Sequence, residues 1–92
     1  ACFFIEDGMV KARTYNEKSF VLESTLDELT GMLNPKEFFR ANRQFIISRN
    51  SISEIDFWFN SRLSVNLKVA VNDKIIISKV RVTEFRDWFS GT

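Results

Sequence analysis

The chain has 92 residues, of which 45% are hydrophobic and 14% aromatic, including ten Phe and two Trp. One small domain with this much apolar material can build a core, which excludes intrinsic disorder. The chain has no His and a single Cys, which excludes an internal disulfide and the common zinc frameworks. We therefore predict one domain over residues 1–92, without metal or cofactor, from a reducing compartment, the cytoplasm. No apolar run approaches the roughly 18 residues that span a bilayer.

The first quarter of the chain indicates an antiparallel strand meander. Three apolar segments, residues 2–5, 9–15 and 19–22, are separated by short polar stretches. The dipeptide Asp7-Gly8 is a typical hairpin turn, and the second separator is Asn16-Glu17-Lys18.

A short helix follows the meander. Thr25 and Glu28 have the spacing of a capping box. Leu26, Leu29 and Leu33 then fall on one helical face, and the pair Asn34-Pro35 ends the helix.

The second half of the chain returns to strand patterns and closes with a second helix. Residues 63–69 alternate between apolar and polar, as in a half-buried strand, and residues 45–47 and 75–77 are compact apolar runs. Ser78 is a candidate cap for a C-terminal helix in which Val82, Phe85 and Phe89 share a face. The predicted fold is mainly β, with small antiparallel sheets of seven or eight short strands, two short helices and an aromatic core.

Catalysis has little support in this sequence. No His is available as a base, and the chain contains no nucleophile elbow, glycine-rich phosphate loop or metalloprotease motif. Cys2 lies in an apolar run, which favours a small core residue over a nucleophile. An enzyme is the weakest of the hypotheses considered.

Polar side chains that suit nucleic acid concentrate at predicted strand ends and loops. Residues 34–81 contain nine basic and four acidic residues, whereas residues 1–33 contain three and six. Arg and Lys neutralise phosphates, and Asn, Gln and Arg make bidentate contacts with purine edges. The same composition also suits ordinary polar loops, so composition leaves both interpretations open. The candidates are Asn42, Arg43, Gln44, Arg49, Asn50, Arg62, Lys79 and Arg81.

The order of these segments resembles the LytTR domain, the DNA-binding output domain of many bacterial response regulators. The resemblance covers nearly the whole chain: a strand meander, a helix containing Thr25-Leu26-Asp27-Glu28-Leu29, the segment Phe38–Ser48, and Ile77-Ser78-Lys79 before a C-terminal helix. In the segment 38–48, Asn42 replaces the usual His, Arg43 matches the motif Arg, and Gln44 replaces the usual Ser.

The resemblance implies loops that enter the major grooves of double-stranded DNA. It assigns Asn42 and Arg43 to bases or phosphates, with Gln44, Lys79 and Arg81 as further contacts. Arg49, Asn50 and Arg62 are candidates for contacts with the DNA backbone. Arg40 could equally be a DNA contact or a structural residue, paired with a carboxylate or stacked on Phe38. The resemblance also implies a homodimer in the full-length regulator.

One rival hypothesis remains beside DNA binding. A protein-interaction or regulatory module could keep this fold without binding DNA. The missing motif His and the net charge of only +1 favour that alternative.

Overall fold

The computed structural model describes residues 1–91, which form two antiparallel sheets, two α-helices and three short 3₁₀ turns. This architecture confirms the predicted mainly β fold. The strands are β1 (Cys2–Glu6), β2 (Met9–Arg13), β3 (Ser19–Leu22), β4 (Phe38–Arg40), β5 (Phe45–Ser48), β6 (Ile52–Trp58), β7 (Arg62–Leu67) and β8 (Ile75–Ile77). The helices are α1 (Leu26–Met32) and α2 (Val82–Ser90), and the 3₁₀ turns span Arg49–Ser51, Phe59–Ser61 and Lys79–Arg81.

The first sheet has five strands in the order β3-β2-β1-β5-β4. The predicted hairpin turn between β1 and β2 is confirmed, because Asp7 and Gly8 both have positive φ, the conformation that such a turn requires. Strand β1 also pairs with β5, so that Phe4 lies opposite Phe45. The β4–β5 hairpin therefore extends the meander rather than forming a separate layer.

The second sheet has three strands in the order β6-β7-β8. Leu63 and Val65 of β7 are buried, as the alternation of apolar residues predicts, and they lie opposite Ile77 and Ile75 of β8. Strand β7 ends at Leu67, before the predicted end at residue 69, although Val69 is itself buried.

Strand β5 is buried along its whole length because apolar groups cover both of its faces. Phe45 and Ile47 belong to the main core, which also contains residues of β7, β8 and α2. Ile46 points the other way and packs with Leu26 and Leu29 of α1. Cys2 is also buried in the main core, where burial raises the pKa of its thiol and favours the neutral form.

The start of α1 confirms the predicted capping box. The Thr25 hydroxyl accepts a hydrogen bond from the Glu28 amide at 3.0 Å, and the Glu28 carboxylate accepts one from the Thr25 amide at 2.9 Å. Leu26 and Leu29 are buried beneath this end of the helix.

The predicted start of the C-terminal helix was wrong. Ser78 makes no capping hydrogen bond, and the 3₁₀ turn Lys79–Arg81 separates it from α2, which begins at Val82. The apolar face is wider than predicted, because Trp88 packs against the rings of Phe39 and Phe85.

Several aromatic residues lie outside the core, contrary to the expectation that the Phe and Trp residues form it. Phe57 is 83% exposed, Phe59 72% and Phe20 55%. Phe57 and Phe59 belong to the end of β6 and the turn that follows, and Phe20 lies on the edge strand β3.

Polar side chains of the first sheet hold the segment between β7 and β8. The Arg13 guanidinium donates to the Ala70 carbonyl at 3.0 Å, and the Ala70 amide donates to the Glu17 carboxylate at 3.0 Å. Glu6 accepts hydrogen bonds from Lys11 at 2.9 Å and from Asn72. The Lys11 and Asn72 hydrogen bonds lower the pKa of the Glu6 carboxyl below its ordinary value.

Replacing Thr25 with Ala should lower the free energy of unfolding by about 1 kcal/mol, since an N-terminal amide of α1 loses its partner. Urea denaturation measures this difference. Thr83→Ala, at an exposed site inside α2, is the matched control and should not destabilise the domain. Equal stability of the Thr25→Ala variant and the unaltered domain would contradict the capping role.

Glu6→Gln should lower the melting temperature at neutral pH and make little difference in acid. The folded pKa is lowered, so the ionised carboxylate stabilises the fold above its ordinary pKa, and this contribution disappears as the pH falls through the folded pKa. Thermal melts between pH 7 and pH 3 test this, with Glu54→Gln as the control at an exposed site. A melting difference that stays constant with pH would contradict the assignment.

Candidate nucleic-acid interface

Three connecting segments meet at one edge of the molecule. The register of the second sheet places Leu63 opposite Ile77, so the β6–β7 turn (residues 59–61) and the β8–α2 turn (residues 78–81) leave that sheet at the same end. The β4–β5 loop (residues 41–44) joins them, because the Asn42 side-chain amide donates to the Ile76 carbonyl at 3.2 Å. We call this region the loop edge, defined as residues 41–44, 59–62 and 78–81.

Arg40 holds the β4–β5 loop from the side of α1. Its Nε donates to the Asn42 carbonyl at 2.7 Å, and its Nη2 donates to the Arg43 carbonyl at 3.0 Å. Its Nη1 lies 2.8 Å from Oδ1 of Asp27. Arg40 thus forms the ion pair with a carboxylate that one of the two interpretations left open for it predicted.

Arg81 holds the same loop from the side of α2. Its Nη1 donates to the carbonyls of Arg40 and Ala41, while its Nη2 lies 2.6 Å from the Glu84 carboxylate. The guanidinium also stacks over the Phe39 ring at 4.8 Å from the centroid. Arg81 is therefore engaged inside the protein, through contacts on three sides.

Asn42 is also engaged inside the protein at both ends of its amide. Its Nδ2 bonds the Ile76 carbonyl, and its Oδ1 accepts from the Gln44 amide at 2.8 Å. The side chain is half-buried. It joins the two sheets and shapes the loop that contains it.

Among the predicted contact residues of the loop edge, Arg43, Gln44 and Lys79 are exposed. Within residues 1–91, none of these three side chains makes a hydrogen bond, ion pair or ring contact. Arg40 and Arg81 are each paired with a carboxylate, whereas Arg43 and Lys79 are not. The positive charge of the edge that no carboxylate of residues 1–91 balances therefore resides on Arg43, Arg62 and Lys79. Val80, 88% exposed, lies beside Lys79.

A groove of about 420 Å³ lies between the β4–β5 loop and the β8–α2 turn. Arg43, Asn42 and Arg81 line it together with Ile76 and Ser78. Its walls combine guanidinium and amide groups with apolar surface, a combination that suits a phosphate or a base edge.

Of the three candidates for contacts with the DNA backbone, two lie away from the loop edge and one belongs to it. Arg49 and Asn50 lie beyond the opposite end of β5 from the β4–β5 loop. The Arg49 guanidinium donates to the carbonyls of Lys36 and Phe89 and stacks over the Trp88 ring at 4.7 Å. Asn50 is exposed. Arg62 belongs to the loop edge, where its Nε donates to the Phe59 carbonyl at 2.9 Å.

Sequence reasoning missed the partners that hold the two loop arginines. Glu84 pairs with Arg81, and Asp27 pairs with Arg40. The three-residue spacing of Arg81 and Glu84 at the start of a helix was a usable signal for the first pair. Asp27 and Arg40 are 13 residues apart, and the sequence contains no local signal for that pair.

Two further observations concern what else the chain could hold. No group of three or more His, Cys, Asp or Glu residues within residues 1–91 is placed to bind a metal ion. Across the same residues, neither helix has the length and apolar character needed to cross a membrane.

Comparisons with known proteins relate the chain to a domain family. The family model of the LytTr DNA-binding domain matches residues 1–90. The transcriptional regulatory protein YpdB of Escherichia coli K12 is 35% identical over 69 residues, which cover 75% of this chain and 28% of YpdB. The sensory transduction protein LytT of Bacillus subtilis 168 is 32% identical over 81 residues, which cover 88% of this chain and 32% of LytT.

A solved structure shows the same fold. The LytTr DNA-binding domain of a methyl-accepting/DNA response regulator from Bacillus cereus aligns with a TM-score of 0.77 at 20% identity, over 95% of this chain and 77% of that chain. The fold and the loop edge thus define a small, mainly β domain that presents cationic loops. The chain belongs to the LytTr DNA-binding domain family, as the resemblance predicted. It spans about a third of the length of the curated relatives described above.

Asn42→Ala should lower the free energy of unfolding by about 1 kcal/mol, because the Gln44 amide and the Ile76 carbonyl both lose a partner. Urea denaturation measures the change. Asn50→Ala is the matched control, since Asn50 is exposed. If the two variants are equally stable, the link between the sheets contributes nothing to folding.

Proposed function

We propose that this domain binds double-stranded DNA in a sequence-specific manner, as the output domain of a bacterial transcriptional regulator of the two-component class. The observation that carries the proposal is the loop edge. It presents three cations that no carboxylate of residues 1–91 balances, Arg43, Arg62 and Lys79. The chain that carries them belongs to a DNA-binding domain family.

The mechanism needs no chemical step. Arg43 and Lys79 neutralise phosphates and release counterions, which supplies affinity without sequence preference. Arg43 can instead bond a guanine edge with two donors, and Gln44 can bond an adenine edge with a donor and an acceptor. The exposed positions of both side chains on one loop support these assignments.

The internally bonded residues have indirect roles in this proposal. Asn42 and Arg81 shape the loop edge and reach DNA only where their free donors or acceptors remain accessible. Arg62 adds positive charge at the β6–β7 turn. Arg49 and Asn50, beyond the other end of β5, contribute at most remote backbone contacts.

The complete regulator would act in the cytoplasm and bind as a homodimer, one domain for each half-site. This part of the proposal rests on the family resemblance and on the names of the relatives, which describe transcriptional regulation and sensory transduction. The relatives are about three times as long as this chain, so dimerisation would involve regions outside it.

One observation favours the alternative, a protein-interaction module on the same fold. A cleft of about 180 Å³ between β6 and α2 is lined by the apolar residues Ile55, Phe57, Leu63, Phe85 and Phe89 and by the polar residues Asp56, Arg86 and Ser90. Exposed apolar surface of this kind, bordered by polar residues, is typical of protein contacts. Duplex binding separates the two functions, because only the DNA-binding function predicts steep weakening by salt.

Arg43→Ala should weaken binding to a duplex by about 1–3 kcal/mol if the guanidinium makes a bidentate base contact. If the guanidinium contacts a phosphate instead, the slope of log affinity against log salt concentration should become shallower by about 1. Fluorescence anisotropy over a salt series, using duplexes selected from a random pool by the unaltered domain, measures both quantities.

Arg86→Ala is the matched control for charge, because Arg86 is exposed on α2 outside the loop edge. It should leave affinity nearly unchanged. Absence of duplex binding at low salt, by this chain and by the complete regulator, would refute the proposed function and favour the interaction module.

A further inference from the structure

We infer that Arg40 and Arg81 are positioning residues for sequence discrimination, acting together as a clamp on the backbone of the β4–β5 loop. They would set the orientation of Arg43 and Gln44 towards the bases without contacting DNA phosphates themselves. This inference rests on the proposed function and identifies what makes that function sequence-specific.

The clamp donates hydrogen bonds to four consecutive backbone carbonyls, those of residues 40–43. Arg81 donates to those of Arg40 and Ala41, and Arg40 donates to those of Asn42 and Arg43. A loop of this length between two strands would ordinarily leave several of these acceptors to water. Here two side chains bond them all, which ties the loop backbone to groups on either side.

Each guanidinium is also paired with a carboxylate. Arg40 bonds Asp27 next to the capped start of α1, at 2.8 Å. Arg81 bonds Glu84 in the first turn of α2 and stacks over Phe39 in β4. The two arginines thus connect the loop to both helices and to the sheet. Ala41, 1% exposed, packs into the core between the clamp residues.

The charge pattern separates the clamp from the DNA contacts. The carboxylates of Asp27 and Glu84 balance the positive charges of Arg40 and Arg81. A paired guanidinium that already donates to carbonyls has fewer donors left for a phosphate. Arg43 and Lys79 have no such partners within residues 1–91, and Arg62 has no carboxylate partner there, so these three groups are suited to counterion release.

Lysine cannot replace either clamp residue, although it keeps the charge. A guanidinium spreads five donors over a rigid plane, whereas an ammonium is a point charge on a flexible stem. Arg40→Lys and Arg81→Lys therefore remove the geometry and preserve the electrostatics. That combination distinguishes a positioning role from a phosphate contact.

The test compares two duplexes, one selected from a random pool by the unaltered domain and one unrelated duplex of equal length. For Arg40→Lys and Arg81→Lys, the ratio of the two affinities should fall about tenfold, within the range of one lost base contact. Affinity for the unrelated duplex and its salt dependence should stay unchanged. Amide hydrogen exchange of residues 41–44 should become faster in both variants, while Arg86→Lys should alter none of these quantities.

Three results would overturn the inference. Parallel losses on both duplexes with a shallower salt dependence would make the arginines phosphate contacts. An unchanged affinity ratio would show that the clamp has no role in discrimination. Loss of folding in both variants, seen by circular dichroism, would assign the arginines to the stability of the whole domain. Failure of the unaltered domain to bind either duplex at low salt would instead refute the proposed function.

Discussion

The loop edge depends on one physical constraint, the bonding of four consecutive carbonyls of residues 40–43 by the guanidinium groups of Arg40 and Arg81. A short exposed loop ordinarily samples many backbone conformations, and ordering it costs about 1–2 kcal/mol per residue. Charge-assisted hydrogen bonds from the two guanidinium groups offset part of that ordering cost before any ligand binds. Preorganisation of this kind reduces the ordering that would accompany binding.

The proposed clamp is supported by strands that are packed into the core. Strand β5 is buried on both faces, between the main core and the smaller cluster beneath α1. Asn42 then joins the loop to β8, so a hydrogen bond connects the two sheets at the loop edge. The apolar core therefore supports the strands from which the polar loop edge projects.

Local patterns in the sequence predicted the elements whose causes are local. The capping box of Thr25 and Glu28 and the Asp7-Gly8 turn formed as expected, because neighbouring residues decide both. The start of α2 was mispredicted, since Ser78 has the right chemistry for a cap but the chain makes a 3₁₀ turn before the helix. Phe57 was expected in the core because the aromatic residues are interleaved with aliphatic ones at strand spacing, yet its side chain is 83% exposed.

The sequence by itself determined the mainly β architecture, the family and the segments that carry polar residues. Only the tertiary structure decided which of those residues are engaged internally. Arg43 and Arg49 are the same residue type in neighbouring loops, yet Arg49 bonds the Phe89 carbonyl 40 positions away, whereas Arg43 is left exposed. Arg81 likewise meets a carbonyl 41 positions away. Periodicity and spacing in a sequence predict contacts between residues a few positions apart. The carbonyls that accept hydrogen bonds from Arg49 and Arg81 are distant in the sequence, and only folding brings them close.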